Sequence, residues 1–333
     1  MTSTTTSPIL VTGGAGYIGS HIVYMLRDQG YEVVVVDNLC NARRDILPRD
    51  VVFHQTDIHD TAAMTAVMQQ HKITTVIHLA AHLSVEESVS QPLKYYQNNV
   101  GGTCALLEAC TKAGVTKFIF SSTGSTYASS DQPMAEDALT DPCSPYSMSK
   151  LMAERVIRDT VNTTRMKAVI LRYFNVAGAD PQGRTGQQGN RATHLISRAL
   201  QAANGDAGQL CINGTDYPTI DGTCVRDYIH VSDLAQAHLA VMEKEFDTNY
   251  QLFNCGYGSG FSVKQVVERV PNITDRQMTV TTGPRRAGDI AQSIANNNAI
   301  LSETNWQPQY NDLDVMIGTA WQWYQQEAER LKK

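Results

Sequence analysis

Short apolar runs, each followed by a polar turn and a stretch of helical spacing, recur along the first half of the chain. Ile9-Leu10-Val11-Thr12 is the first, rich in β-branched residues, and a glycine turn follows at once. From Tyr17 through Val23 and Leu26 the apolar positions fall at helical intervals, closed by Gly30. Tyr31-Glu32-Val33-Val34-Val35-Val36-Asp37 is a second buried run and ends in an acid. Residues 51–55, 74–80, 117–122 and 167–172 continue the series, with helical stretches between them. The alternation predicts an α/β fold, a doubly wound parallel (Rossmann) sheet with right-handed crossovers. Ligands of such sheets bind beyond the carboxyl ends of the strands. Asp57 and Ile58, Leu79-Ala80-Ala81, Ser121-Ser122-Thr123 and Tyr173-Phe174-Asn175 all fall there.

After Asn175 the pattern breaks into a Gly-, Gln- and Asn-rich stretch over residues 178–191. The sheet domain is therefore expected over residues 1–175. Residues 224–248 read as one more strand and helix returning to it. Residues 176–333 are expected to form a smaller C-terminal α/β substrate domain, closed by a helix carrying Trp321 and Trp323. At 333 residues the chain exceeds what one core organises, which agrees with two domains.

Strand, glycine turn and helix together are the context of a dinucleotide fingerprint. In Gly13-Gly14-Ala15-Gly16-Tyr17-Ile18-Gly19, Gly13 permits the tight turn, Gly16 lets backbone approach a pyrophosphate, and Gly19 lets helix pack on strand. The N–H groups around Tyr17 and Ile18 then meet the phosphates with the positive end of a helix dipole. Asp37 can accept both ribose hydroxyls and repel a 2′-phosphate, which favours NAD over NADP. Arg43 and Arg44 are the opposing evidence, although they follow Asn41 in what reads as a solvated loop. The expected cofactor is NAD.

Composition removes other classes. A net charge of −6 with 18% charged residues gives no basic footprint for nucleic acid. No apolar run approaches a membrane span, and residues 1–7 lack a basic region or a hydrophobic signal core. Seven scattered cysteines without a CxxC pair read as reduced thiols of a cytoplasmic protein, and the nine histidines show no metal-ligand spacing. No metal is expected, and His54, His59 and His71 read as surface or packing residues.

Ser144-Pro145-Tyr146-Ser147-Met148-Ser149-Lys150 places a tyrosine four residues ahead of a lysine at a helix start, so phenol and ammonium share one face. A fixed cation favours the phenolate. Bringing its ionisation from about pH 10 to about pH 7 takes roughly 4 kcal/mol. One lysine and a positively charged nicotinamide could supply that together, which makes the pair a general base beside an oxidised dinucleotide.

With these residues in place, the chain resembles the extended short-chain dehydrogenase/reductases, and within them the UDP-glucose 4-epimerase family. The resemblance runs from Ile9 to about Tyr324. It is carried by the glycine block through His21, Asp37-Asn38-Leu39, Tyr95-Tyr96-Gln97-Asn98-Asn99-Val100 and Leu171-Arg172-Tyr173-Phe174-Asn175. Most specific is Gly214-Thr215-Asp216-Tyr217-Pro218-Thr219 with Asp221-Gly222-Thr223-Cys224-Val225-Arg226-Asp227-Tyr228-Ile229-His230-Val231. The resemblance implies that Tyr146 is the base, that Lys150 holds the nicotinamide ribose and the tyrosine's charge, and that Thr123 bonds the sugar C4 oxygen. Asn38, Asp57, Ile58, Leu79, Ala80, Ala81, Asn98, Tyr173 and Phe174 complete the expected NAD site. Asn175 is expected at the sugar diphosphate, Arg226 and Arg286 at the phosphates, and His194 with Leu195 near the uracil. Asp289 belongs to the block of Arg286, and Ser293, four residues on, to the corner that limits the sugar's C2 group. Serine there leaves room for an N-acetyl group.

The implied chemistry is galactose metabolism: Tyr146 takes the C4 hydroxyl proton, the C4 hydride goes to tightly bound NAD, and the 4-keto sugar turns over and regains the hydride on its other face. UDP-galactose and UDP-glucose interconvert without net redox. The chain departs from the family pattern at Asn213, where an aromatic commonly covers the uracil, at Ser197, at Ala128, and in the loop around Gln187 and Gln188. Helices after Ser84 and after Tyr146 are those the family uses for a homodimer. Two other readings share the fold. A sugar-nucleotide 4,6-dehydratase needs an acid after Thr123, where Gly124 and Ser125 stand. A non-catalytic NAD-sensing protein would be expected to lose Tyr146, Lys150 or Thr123, and all three are present.

Overall fold

The structure is a computed structural model and describes residues 7–189, 194–286 and 289–330. In chain order the elements of the first half are β1 (Ile9–Thr12), α1 (Tyr17–Asp28), β2 (Val33–Asp37), β3 (Val52–Gln55), α2 (Thr61–Gln70), β4 (Thr75–His78), α3 (Val85–Ser90), α4 (Pro92–Tyr95), α5 (Gly102–Ala113), β5 (Lys117–Thr123), α6 (Pro145–Val161) and β6 (Lys167–Tyr173). There follow β7 (Asn175–Ala177), α7 (Leu195–Asn204), β8 (Leu210–Asn213), β9 (Val225–Arg226), β10 (Tyr228–His230), α8 (Val231–Glu243), β11 (Tyr250–Cys255) and β12 (Phe261–Ser262). The chain ends with α9 (Val263–Thr274), β13 (Val280–Gly283), β14 (Gln292–Ser293), α10 (Asn298–Glu303) and α11 (Leu313–Arg330).

Two compact units divide the chain: residues 1–126, 142–172 and 235–253 form one, and residues 127–141, 173–234 and 254–333 the other. The returning segment thus begins at Ala235, inside α8. Residues 127–141 join the second unit, because Met134 bridges to Ala295 and Asn254 donates to the Met134 carbonyl at 2.9 Å.

The first unit holds a seven-stranded parallel sheet in the order β11-β6-β5-β4-β1-β2-β3. This is the expected doubly wound order with one strand added at the β6 edge. The chain reverses direction across the sheet between β1 and β4, which pair in register from Ile9 with Thr75 to Thr12 with His78. Every residue of β1 and β2 is buried, as strands covered on both faces must be. On one side Met64 and Met68 of α2, Leu106 and Leu107 of α5, and Ala153 and Ile157 of α6 pack on Leu10, Val34, Val76, Phe118 and Ile170.

The second unit is built from short pieces. β7 pairs with β10, β8 with β13, and β9 lies between β12 and β14. Its core gathers Ile196 and Leu200 of α7, Val266 and Val270 of α9, and Met316, Ile317 and Trp321 of α11. Among the described residues no helix is long and apolar enough to cross a membrane.

Candidate active site

The glycine turn has the geometry a pyrophosphate needs. Gly13 sits at φ 70°, and a Cβ there would stand 2.7 Å from the Ala80 amide nitrogen. A Cβ on Gly19 would overlap the Gly13 carbonyl. Gly16 caps α1 in extended conformation with no side-chain cap, so the first turn, at Tyr17 and Ile18, opens on backbone alone. Leu79 donates its N–H to the Thr12 carbonyl at 3.0 Å, which lays the exit of β4, with Ala80 and Ala81, against this turn.

Asp37 ends β2 and is buried. Its carboxylate accepts the Ala15 N–H at 3.1 Å and the Leu39 N–H at 2.8 Å. Burial pushes its pKa up, and those two bonds oppose the shift. Asn38 donates to Asp57 at 2.8 Å, while the other Asp57 oxygen takes the His59 N–H at 2.9 Å. Burial works against the Asp57 charge, but the hydrogen bonds from His59 and Asn38 win and hold it below the ordinary value. Ile58 is buried against Gly102. The two arginines that stood as evidence for a 2′-phosphate are engaged in their own loop. Arg43 pairs with Asp45 at 3.2 Å; Arg44 donates to the carbonyls of Pro48 and Val51, both at 3.1 Å, and lies over the Phe53 ring.

Asn98 lies in a π-wound turn, Tyr96–Gly101, set between α4 and α5. No periodicity in the chain marks that turn; such insertions favour functional sites. Asn98 donates to Asn99 at 2.9 Å. Asn99, buried, donates to the His82 carbonyl at 3.0 Å and to Ser149 at 2.9 Å, and accepts the His82 N–H at 2.9 Å. One asparagine therefore ties the segment after β4, the π turn and α6 together. In the sequence, its only signal was its place in the Tyr95-Tyr96-Gln97-Asn98-Asn99-Val100 block.

Ser144 caps α6 by accepting the Ser147 N–H at 3.2 Å, and Pro145 takes the first helical position. Tyr146 and Lys150 thus lie one turn apart on one face. Thr123, at the end of β5, bonds Ser125 at 2.9 Å, and its hydroxyl lowers the pKa of the Tyr146 phenol. The structure brings these three residues together.

Burial pushes Tyr146 up to about 12, and the Thr123 hydroxyl works the other way. Lys150 is buried; its Nζ donates to the Ser121 carbonyl at 2.7 Å and lies 4.5 Å from the Phe120 ring centre. Burial pushes it down to about 7, opposed by Glu154. The sequence led to the expectation of a lowered phenol, and the protein alone produces a raised one. Burial is the larger effect on the phenol, and the lysine's ammonium is committed to the Ser121 carbonyl. A second positive charge beside the pair is needed to reverse the balance. His78 does not supply it: burial, then the Lys150 charge, push it down to about 3, and its ring nitrogens meet Thr12 at 2.7 Å and Thr103 at 3.2 Å.

The second unit gathers four of the expected residues around Asp227. Arg226 in β9 reaches Asp289 at 3.4 Å, and in the β9–β14 ladder it stands opposite Ser293. The Asp227 carbonyl accepts the Asn175 N–H at 3.0 Å, and its own N–H donates to the Ser293 carbonyl at 2.9 Å. The Asp227 carboxylate is buried and takes the N–H groups of Tyr257, Gly258 and Ala295 at 2.9, 3.0 and 3.1 Å. Tyr173 ends β6 and Phe174 leads into β7. Asn213 ends β8 opposite Gly283 of β13. Near it Arg285, given no role from sequence, lies 4.1 Å over the Tyr217 ring and pairs with Asp216 at 2.8 Å; Arg286 is exposed. His194 caps α7, Leu195 is its first residue, and the structure does not join them to the Asp227 group. Of the loop over 178–191 and the block around Arg286, residues 190, 191, 287 and 288 lie outside the described ones.

The sequence profile of the NAD dependent epimerase/dehydratase family matches residues 9–256. The UDP-glucose 4-epimerase of Azospirillum brasilense is 46% identical over 323 residues, 96% of this chain and 93% of that protein. A UDP-glucose 4-epimerase of Stenotrophomonas maltophila, crystallised with bound NAD and formylated UDP-arabinopyranose, superposes with a TM-score of 0.94 at 38% identity, covering 98% of this chain and 100% of that one. The UDP-Glc/GlcNAc 4-epimerase of Campylobacter jejuni is similar at a TM-score of 0.85 and 41% identity, over 96% of this chain and 100% of its own.

Proposed function

The chain belongs to the NAD dependent epimerase/dehydratase family, and on that premise we propose that it is a UDP-glucose 4-epimerase, an isomerase interconverting UDP-galactose and UDP-glucose. The observation that carries this reading is the convergence of Thr123, Tyr146 and Lys150 at the end of β5 and the start of α6. The cofactor is NAD. The residues fit it: the turn at Gly13 and Gly19 has no room for side chains, the cap of α1 is bare backbone, and Asp37 closes β2 as a buried acid. Gly13, Gly16, Gly19 and Asp37 would hold NAD, which when bound would supply the hydride acceptor and donor for the sugar C4.

The chain's own residues handle the proton. Thr123 holds the C4 oxygen, Tyr146 accepts its proton and gives it back, and Lys150 keeps charge beside the phenolate. Arg226 and Arg286, with Asn175, are the candidates for the diphosphate, since guanidinium groups offer several donors in a fixed fork. Incubation with UDP-galactose and measurement of UDP-glucose tests the reading. Formation of a 4-keto-6-deoxy sugar, or no turnover, overturns it.

Ser293 sits in β14 opposite Arg226, and a small hydroxyl there supports acceptance of UDP-GlcNAc alongside UDP-glucose. Leu83, Val85, Val89, Leu93 and Met152 are 63%, 50%, 65%, 71% and 43% exposed, on or beside helices α3, α4 and α6. An apolar patch of that size on packed helices supports a homodimer closed by a second copy of the same face. A cytoplasmic setting fits the seven free thiols.

A further inference from the structure

The register of α6 does not stop at Lys150. Tyr146, Lys150 and Glu154 follow one another at intervals of four, and the third is a carboxylate 3% exposed. It is clamped from two strands. Arg172 of β6 forms a two-pronged pair with it, Nε to one oxygen at 2.9 Å and Nη2 to the other at 2.6 Å. The Ser122 hydroxyl of β5 donates to the first of these oxygens. Ser122 stands between Ser121, whose carbonyl takes the Lys150 ammonium, and Thr123, whose hydroxyl lowers the pKa of the Tyr146 phenol. Consecutive residues of β5 therefore act on three successive turns of α6.

A buried ion pair is a poor source of stability, because desolvation consumes most of the attraction. Packing alone would be served as well by apolar residues of similar volume. What those would not supply is a negative charge one helical turn from a buried ammonium. Phe120 offers the ammonium its ring face and Ser121 a neutral carbonyl. Glu154 is the anion that acts on Lys150, and its effect opposes the loss of the lysine's proton. Arg172 holds the carboxylate in place from the side of β6.

We propose that Glu154 is a positioning residue of the reaction: held by Ser122 and Arg172, its carboxylate fixes a negative charge one helical turn from Lys150, whose ammonium serves Tyr146. The inference rests on the assignment of Tyr146 as base, and its test is separate from the test of that assignment. In Glu154→Gln the ammonium loses its anion and gives up its proton at lower pH. The alkaline limb of kcat, measured on the NAD-loaded enzyme, is expected to move toward acid by about one pH unit. Glu154→Asp, which keeps the charge, is expected to restore most of that limb. Should Glu154→Gln not fold with Arg172 left unpaired, Glu154→Gln/Arg172→Gln replaces the pair by two amides and is read the same way. A brace with no electrostatic role would lower the melting temperature in these variants and leave the limb where it is in the wild type; that result overturns the proposal. Absence of epimerase activity in the wild type would instead strike at the proposed function itself.

Discussion

Asp37 accepts the Ala15 N–H at 3.1 Å, so the acid that ends β2 also fastens the glycine turn between β1 and α1. With Asp37 proposed at the NAD ribose, one carboxylate has two duties, toward the cofactor and toward the turn it fastens. Asp37→Ala should lose both: discrimination between NAD and NADP falls because the repelling charge is gone, and affinity for NAD itself falls because the turn is released. A hydrogen bond to a charged group contributes about 1.5–3 kcal/mol, which corresponds to a loss of roughly tenfold or more. Asp37→Asn, which keeps an acceptor for Ala15, should lose discrimination while retaining more of the affinity. Titration calorimetry with both cofactors measures this. Unchanged discrimination would return the choice to Arg43 and Arg44, which the structure shows occupied in their own loop.

Tyr146→Phe removes a proton acceptor and little else, since the ring stays in place beside Thr123. The variant should keep its fold and bound NAD, and lose at least about a hundredfold in kcat, the usual share of a general base. A near-normal rate would mean that another group accepts the C4 proton.

Burial of Lys150 links stability to pH. An unfolded lysine holds its proton to about pH 10.5, whereas the buried one releases it at about 7. Between those values the unfolded chain binds more protons, so stability of the cofactor-free protein should rise with pH. The slope for one such group is at most about 1.4 kcal/mol per pH unit. Urea unfolding at pH 7, 8 and 9 should show the rise, and Lys150→Met should flatten it. A flat wild-type profile would place the lysine in contact with solvent.

Much of the first unit could be read directly from the chain because its signals are local. A β-branched run, three glycines and an acid at the next strand's end set out the cofactor half within residues 9–37, and Ser144-Pro145 announced the start of α6. The second unit was less legible for a physical reason. Its strands β9, β12 and β14 have two residues each, too few for any period, and their register is set by distant partners such as the Asp227 carboxylate. Buried polar residues were also silent. Asn99 and Glu154 sit where an apolar pattern would leave a gap, and only their partners explain them. Glu154 nonetheless continues the spacing of Tyr146 and Lys150, a signal the sequence did contain.

The exposed apolar face of α3 and α4 makes a prediction about assembly. Val89→Asp/Leu93→Asp puts two charges on residues that are 65% and 71% exposed, so the fold of one chain should tolerate them. If a second copy covers this face, sedimentation should show a dimer in the wild type and a monomer in the variant, with NAD binding retained. A monomeric wild type would remove the proposed homodimer.

The last prediction concerns substrate range. Ser293 lies opposite Arg226 in a two-residue strand, and its carbonyl accepts the Asp227 N–H at 2.9 Å, so its backbone position is fixed by the same aspartate that meets Asn175. If Ser293 faces the sugar's C2 group as proposed, only the size of its side chain is then free to set the room there. Serine leaves space and offers a hydroxyl to the amide of an N-acetyl group. UDP-N-acetylglucosamine should accordingly be epimerised alongside UDP-glucose. Ser293→Tyr should fill the corner and cut kcat/KM for the N-acetylated pair by ten- to a hundredfold, the effect of about 1.4–2.7 kcal/mol of lost transition-state binding, while the plain pair changes little. Measuring both pairs in both proteins decides the matter. No activity of the wild type on the N-acetylated pair, or a ratio that the tyrosine leaves unchanged, would show that another segment, such as the loop over residues 178–191, fills the space.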